Sequence, residues 1–190
     1  MVVLQHKKFT TEQYHQMVEA GILTQRDRVE LIEGEIIQMA AIGRNHAVCV
    51  NRLTRLFTRT LPLEVTVQVQ NPSQLSNASE PEPDFAILRG QPGDYLAAHP
   101  SPEDILALVE VSDSTLVYDR TVKAPLYARA GIQELWIVAL EVLAIAVYRL
   151  PGPAGYGEVQ TMCRGQSLAF QAFPEISFTV EQLLADFMRA

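Results

Sequence analysis

The chain has 190 residues, and its 15 basic against 22 acidic side chains give a formal net charge of −7. Hydrophobic residues make up 48% of the chain, which is enough for a sizeable core and excludes wholesale disorder. The acidic balance argues against a protein that coats nucleic acid or an anionic membrane by bulk charge, although it leaves room for a local basic patch. The length predicts one domain over residues 1–190.

The cysteine count and the absence of a leader pattern indicate the compartment. Cys49 and Cys163 are too few for a disulfide framework or a cysteine zinc site, and they fit a reduced protein. The first eight residues lack the long apolar core of a signal peptide. The most apolar stretch, residues 135–147, contains Glu141 and is too short to cross a bilayer. The sequence therefore predicts a cytoplasmic protein that does not associate with membranes.

The first half of the chain alternates between the periodicities of helices and of strands. Thr10 and Thr11 supply an N-cap signal for a short helix that Gly21 closes. Gly34 fits the turn of a hairpin, and Pro62 ends the second helix. The elements predicted here are a helix at 12–20, hairpin strands at 28–33 and 35–39, a helix at 45–60, and strands at 64–70 and 84–89.

The second half begins with an apolar run that is typical of a central strand. The elements predicted here are a strand at 104–111, a loop at 112–118, a helix to about Ala130, strands at 134–140 and 142–150, a Pro/Gly loop at 151–157, and a last helix at 180–188. Together they predict an α/β (α+β) fold around one mixed sheet. The core is expected at about residues 28–150, with the strands and helix of 151–190 appended.

Three acidic residues stand at the ends of apolar strands. Glu110 follows the run Ile-Leu-Ala-Leu-Val, where a charged carboxylate is costly unless a partner compensates it. If their strands are neighbours, Asp84 and Glu110 converge at one site, and a hard divalent cation such as Mg²⁺ would relieve their repulsion. Glu33 is the third of these acids. The alternative for each is an ordinary salt bridge at a strand end.

A lysine follows these acids in the chain. Asp119, Lys123 and Tyr127 are spaced four apart, which on a helix places them on one face. Lys123 could then point back toward Glu110 and position a water, although a surface ion pair with Asp119 is the commoner role. Pro125 is compatible with a helix whose regular part begins near Lys123 or Ala124.

His46 is a further candidate at the start of the second predicted helix. It lies in line with apolar residues of that helix, so a hydrogen-bonded core histidine is the alternative to a role in the site. Ser112, Asp119 and Tyr127 are interpreted as residues that support the acids and the lysine from behind.

These residues resemble the PD-(D/E)xK nuclease superfamily and, more narrowly, the Uma-type family of putative restriction endonucleases. The ordered motifs that carry the resemblance extend from about Arg28 to Tyr148. They are Val29-Glu30-Leu31-Ile32-Glu33-Gly34-Glu35, His46, Ser79-Glu80-Pro81-Glu82-Pro83-Asp84, Val109-Glu110-Val111-Ser112, Asp119-x-x-x-Lys123-x-x-x-Tyr127, and Gly131-Ile132 before Glu134-Leu135-Trp136. The resemblance implies a restriction-endonuclease-like sheet flanked by helices.

The resemblance also implies residue roles. Asp84 and Glu110 would be metal ligands, the backbone carbonyl of Val111 a third, and Glu33 the acid that completes the site directly or through water. The superfamily pattern places its lysine two residues after the second acid, and that position is Ser112 here. Lys123, on the following helix, would be the substitute catalytic lysine.

The expected function is Mg²⁺-dependent hydrolysis of DNA, with Mn²⁺ as a substitute metal. The basic residues expected to touch DNA are Arg44, Arg52, Arg55 and Arg59, and the alternative for them is a solvated helix face. A homodimer or higher oligomer is expected, with the strand-rich stretch 134–150 as a candidate interface. Two other functions remain open: a nuclease-like domain that binds nucleic acid or a protein without cleavage, and a metal-dependent phosphoesterase for a small molecule.

Overall fold

The computed structural model of the protein describes residues 6–24 and 26–188. Its helices are α1 (Thr11–Glu19), α2 (Arg44–Thr60), α3 (Leu116–Tyr118), α4 (Ala124–Arg129) and α5 (Val180–Leu184), with a π-helical turn at Asp119–Lys123 and 3₁₀ turns at Pro92–Tyr95 and Pro102–Asp104. Its strands are β1 (Val29–Ile32), β2 (Glu35–Gln38), β3 (Val65–Val69), β4 (Phe85–Arg89), β5 (Ile105–Ser112), β6 (Glu134–Ala139), β7 (Ala144–Gly152), β8 (Gly155–Met162), β9 (Ser167–Ala169) and β10 (Ser177–Thr179).

Six strands form one mixed sheet in the order β3-β4-β5-β6-β7-β8. β5 and β6 run parallel, and the other neighbours in this sheet are antiparallel. The crossover between the two parallel strands is the segment that contains α3, the π-helical turn and α4, as parallel pairing requires. The predicted fold class, a mixed sheet flanked by helices, is confirmed.

Helix α2 covers one face of the sheet because its apolar residues share one side. Val50, Leu53 and Phe57 are buried there, as the spacing predicts. Phe57 stands edge-on to Phe85 of β4, with ring centroids 5.4 Å apart. The opposite face packs against α4 through a second apolar cluster that includes Tyr127. The sheet is therefore a middle layer with helices on both sides.

The residues after 150 belong to the main core, and their assignment to an appended segment is corrected. The stretch predicted as a loop at 151–157 is the tip of the β7–β8 hairpin, since pairing continues to Gly152 and Gly155. Phe170 stacks on Trp136 with ring centroids 3.9 Å apart. Residues 151–157 were predicted as a loop because a Pro- and Gly-rich run fits a loop as well as the tip of a hairpin.

Strand β6 of the stretch 134–150 lies inside the sheet, whereas Val142 and Leu150 of the same stretch are exposed. Each residue of β6 is buried, and the strand is paired on both sides by β5 and β7. The prediction that the stretch forms an interface between subunits therefore does not apply to β6, and for the exposed Val142 and Leu150 it stays a prediction. In the part of the chain that the structure describes, no helix is long and apolar enough to span a bilayer.

Candidate active site

The strand register brings Asp84 and Glu110 together. β4 pairs antiparallel with β5, with Phe85 opposite Val109, so the next residues along are Asp84 and Glu110. Side chains directly opposite on antiparallel strands lie on the same face of the sheet. Both carboxylates line a cleft of about 950 Å³. The two acids thus meet at one site, as expected for neighbouring strands.

Asp84 is held by contacts to both of its carboxylate oxygens. The N–H of Val111 donates to Oδ2 at 2.8 Å, and Nε2 of Gln70 donates to Oδ1 at 3.1 Å. Nε2 of His46, in the first turn of α2, lies 3.0 Å from each oxygen. The structure therefore places His46 in the site and gives Asp84 a fixed orientation.

His46 binds a proton more readily beside Asp84 than a free imidazole does. Burial alone would lower the pKa of the His46 imidazole. The hydrogen bond and the charge of Asp84, with smaller effects of Asp113 and Asp119, outweigh burial and raise that pKa above its ordinary value. Nδ1 of His46 is buried and accepts or donates no hydrogen bond within the described residues. His46 therefore has one ring nitrogen committed to Asp84 and one unsatisfied nitrogen.

Glu110 is buried on the other side of the site. The hydroxyl of Tyr127 donates to Oε1 at 2.5 Å, and Nζ of Lys123 donates to the same oxygen at 3.1 Å. Burial raises the pKa of the Glu110 carboxyl to about 8, and the charges of Asp119 and Asp84 act in the same direction against Lys123 and Tyr127. Glu110 is thus protonated more readily than an exposed carboxyl.

Lys123, which contacts the Glu110 carboxyl, lies at the end of a π-helical turn. The N–H of Ala124 donates to the carbonyl of Asp119, five residues back, immediately before Pro125. Proline has no N–H to continue an α-helical ladder, and the wider turn ends where regular α4 begins. Burial lowers the pKa of the Lys123 ammonium, but the charges of Glu110 and Glu30 outweigh burial and raise it. Lys123 is therefore a buried cation.

Glu30 takes the position in the cleft that the sequence assigned to Glu33. Oε2 of Glu30 lies 3.4 Å from Nζ of Lys123, and Glu30 is 1% exposed. Glu33 stands in the turn of the β1–β2 hairpin with φ +49° and points to Arg129 on the surface, at 2.6 Å. A two-residue period puts Glu30 on the same face as buried Ile32, and this signal was available in the sequence.

Asp119 and its hydroxyl partners close the site from behind. The hydroxyls of Ser112 and Thr115 donate to Oδ2 of Asp119 at 2.7 and 2.6 Å. Burial raises the pKa of Asp119 even though these two hydrogen bonds and the charge of Lys123 oppose the shift. Ser112 occupies the strand position where the superfamily pattern has a lysine, and here its hydroxyl holds Asp119 instead.

The charges of the cleft fit a divalent cation. Four acids are buried there against one buried lysine and one histidine: Glu30, Asp84, Glu110 and Asp119. The N–H and the C=O of a residue in a β-strand point toward the same edge of that strand. Because the N–H of Val111 donates to Asp84, the carbonyl of Val111 also points toward Asp84. Among residues 6–24 and 26–188, these acids form no group of three ligand atoms within 4.8 Å. A divalent cation held here would therefore take one or two carboxylates from the protein, and water and substrate would complete its shell.

The four arginines predicted to contact DNA lie outside the cleft lining. Arg52 pairs with Asp186 and also donates to the carbonyl of Gln182 at 3.3 Å, so it joins α2 to the C-terminal segment. This pairing engages the guanidinium of Arg52, and its predicted contact with DNA stays a prediction. The other three arginines are exposed on α2: Arg44, Arg55 and Arg59. Arg28, which the sequence reasoning missed, is the arginine that lines the cleft.

Comparisons with known proteins agree with this fold. A family model described as "Uma2: Putative restriction endonuclease" matches residues 11–181, and the chain belongs to this family. The structure is similar to the crystal structure of a putative nuclease belonging to DUF820 from Anabaena variabilis ATCC 29413, at 14% sequence identity and a TM-score of 0.74. The match covers 95% of this chain and 99% of that chain. No curated protein sequence matches.

Membership of the Uma2 family supports a nuclease-like function for the chain. The structural likeness shows the shared fold and, at this identity, no more than the fold.

Proposed function

We propose that the protein is a metal-dependent endonuclease that hydrolyses DNA phosphodiester bonds in the cleft of Asp84 and Glu110. The observation that carries the proposal is the contact of Lys123 with Glu110, at 3.1 Å, in the same cleft as Asp84. Two acids and a lysine are brought together there from three separate elements. This is the arrangement that the nuclease pattern requires even though Lys123 replaces the strand lysine.

Each residue has a task that follows from its contacts. Asp84, Glu110 and the carbonyl of Val111 would hold a Mg²⁺ ion, with Mn²⁺ as a substitute. When bound, such an ion polarises a phosphoryl oxygen and lowers the pKa of water. Lys123 orients the attacking water and offsets negative charge that develops on the phosphate. Tyr127 keeps the Glu110 carboxylate in place, and His46 does so for Asp84.

DNA contact is expected to be local and weak. Bulk charge repels a polyanion because the chain carries a net charge of −7. Arg28 lies at the cleft, and Arg44 stands two residues from His46 at the start of α2. These two positions are the basic groups that we propose to touch phosphates beside the scissile bond.

Removal of either acid is expected to abolish cleavage while the fold is retained. Asp84→Asn and Glu110→Gln each keep the side-chain volume and lose a charged ligand, so cleavage of supercoiled plasmid with Mg²⁺ or Mn²⁺ should fall at least about 100-fold. The matched control is Glu33→Gln, which changes an acid on the surface and should leave cleavage within about twofold.

The same assay separates the proposed nuclease from its alternatives. It includes plasmid, single-stranded DNA and RNA, with binding followed in parallel. Binding of nucleic acid without turnover by the unchanged chain would contradict the proposed activity and indicate a binding domain. Hydrolysis of small phosphodiesters with no cleavage of any polymer would indicate a phosphoesterase.

Metal affinity is expected to rise with pH up to about 8. Glu110 binds the metal only as a carboxylate, and its raised pKa keeps it largely protonated below about 8. Each unit of pH between 6 and 8 should therefore strengthen Mn²⁺ binding by up to about tenfold, with a plateau above that range. Isothermal titration at pH 6, 7, 8 and 9 measures the effect. Affinity independent of pH, or the same slope in Glu110→Gln, would contradict the role of Glu110.

A further inference from the structure

Two histidines and a buried glutamate meet outside the carboxylate cleft. His15 lies in α1, Glu80 in the extended segment before β4, and His99 in the loop before β5. Nε2 of His15 is 2.9 Å from both carboxylate oxygens of Glu80, and the rings of His15 and His99 stand edge-on at 6.1 Å. One ligand atom from each of the three lies within 4.8 Å of the others, and no other set in the described ranges does so. We propose that these three residues bind a zinc-type transition-metal ion.

Burial and charge at Glu80 support a cation there. The side chain of Glu80 is 2% exposed, and its ion-pair partner in the described chain is His15. A buried carboxylate is costly unless a charged partner compensates it, and histidine is charged only when it is protonated. A divalent ion bound between the two histidines would supply permanent positive charge to Glu80. The cluster therefore has a carboxylate that needs a cation and two nitrogens able to hold one.

The backbone segments that carry the three ligands are held in place before any ion binds. Glu80 is fixed by a two-residue bridge to β1, and the residues adjacent to His15 and His99 are tied to the backbone of other segments. The hydrogen bonds involved are Glu80 N–H to the Leu31 carbonyl at 2.7 Å, the Tyr14 hydroxyl to the Val29 carbonyl at 2.9 Å, and Gln74 N–H to the Pro100 carbonyl at 2.9 Å. Preorganised ligands lose little freedom on binding, which favours affinity.

The donor types select the class of metal. Two imidazoles and one carboxylate suit Zn²⁺ and its neighbours in the first transition row, whereas Mg²⁺ prefers oxygen ligands alone. Three protein ligands leave a fourth position open to solvent. That position belongs to a second cleft of about 660 Å³, which shares Arg28, Gln70 and Glu82 with the carboxylate cleft. The ion would thus lie beside the nuclease cleft, at a separate site of different chemistry.

Metal titration of the full chain tests this site without any assay of cleavage. Zn²⁺ binding is measured by isothermal titration, and Co²⁺ is added as a spectroscopic probe of four-coordinate geometry. We expect Zn²⁺ to bind in the presence of excess Mg²⁺, and His15→Ala or His99→Ala to weaken it at least about tenfold with loss of the Co²⁺ absorption band. His99 is exposed, so His99→Ala should keep the fold, whereas His15→Ala also removes the ion-pair partner of buried Glu80 and is expected to lower stability. Circular dichroism checks both variants.

The control is His6→Ala, which removes an exposed histidine near the start of the described chain and should leave Zn²⁺ affinity unchanged. Zn²⁺ held only by the carboxylate cleft would be equally tight in His15→Ala and His99→Ala, and that result would overturn the proposal. Competition by Mg²⁺ at equal concentration, or no binding at all, would overturn it too. Absence of nuclease activity would not, because these measurements do not involve a nucleic acid.

Discussion

Replacement of Lys123 by methionine is expected to abolish cleavage and to destabilise the fold as well. Methionine keeps much of the apolar stem but removes the cation that faces Glu110 and Glu30, at 3.1 and 3.4 Å. Two buried carboxylates then lose their shared partner, which should cost about 3–5 kcal/mol of unfolding free energy at pH 8–9. Cleavage should fall at least about 100-fold.

The loss of stability in Lys123→Met should be smaller at acidic pH. Without the ammonium, Glu110 takes up a proton more readily in the folded chain, and a protonated carboxyl needs no cation. Denaturant melts at pH 5.5 and 8.5, together with plasmid cleavage, measure both effects. Lys8→Met is the matched control: Lys8 pairs with Glu35 on the surface, and its loss should change stability by at most about 1 kcal/mol. Full stability and activity of Lys123→Met would contradict the placement of this lysine.

Truncation of Phe170 to alanine should cost about 3–5 kcal/mol of unfolding free energy. Phe170 is 1% exposed and stacks on Trp136, and it also stands beside Phe57 with ring centroids 5.4 Å apart. The unfolding free energy falls because the variant loses buried apolar area and leaves a cavity between α2 and the sheet. Thermal and denaturant unfolding of the full chain give the value.

Val159→Ala in β8 is the control for Phe170→Ala, because Val159 lies in the same C-terminal part of the chain and is 54% exposed. Its effect should stay within about 0.5 kcal/mol. A cost below about 1 kcal/mol for Phe170→Ala would show that the residues after 150 add little to the core, in agreement with an appended segment and against the packing described above.

The sequence was sufficient to predict most of the sheet and the positions of two acids. Alternation in β3 and the apolar run of β5 are local signals, and the register of β4 against β5 follows once these strands are neighbours. Asp84 and Glu110 could be singled out because a carboxylate next to a buried run is costly wherever the rest of the chain lies. Lys123 and His46 followed from spacing and from family resemblance.

The remaining differences have two sources: one local periodicity that was overlooked and several contacts between residues far apart in the chain. Glu30 and Glu33 belong to one short hairpin, and the choice between them depends on which face of β1 packs inward. The pairing of Arg52 with Asp186 was not indicated by the sequence because the two residues are more than a hundred positions apart in the chain. The Pro/Gly run after β7 has the composition of a loop, and only pairing with β8 makes it a hairpin. Periodicity reports local geometry and says little about such distant partners.

The π-helical turn at Asp119–Lys123 makes the lysine sensitive to chain length in a way that the acids are not. Asp84 and Glu110 are fixed by strand register, whereas Lys123 reaches them from a turn with one residue more than an α-helical turn would need. Deletion of one residue there would convert the π-helical turn into an α-helical turn and change the local path of the backbone that carries Lys123. A single-codon deletion in this crossover would thus disturb the position of Lys123 while the strand register that holds Asp84 and Glu110 persists, so the role proposed for the lysine is the part of the site most sensitive to chain length.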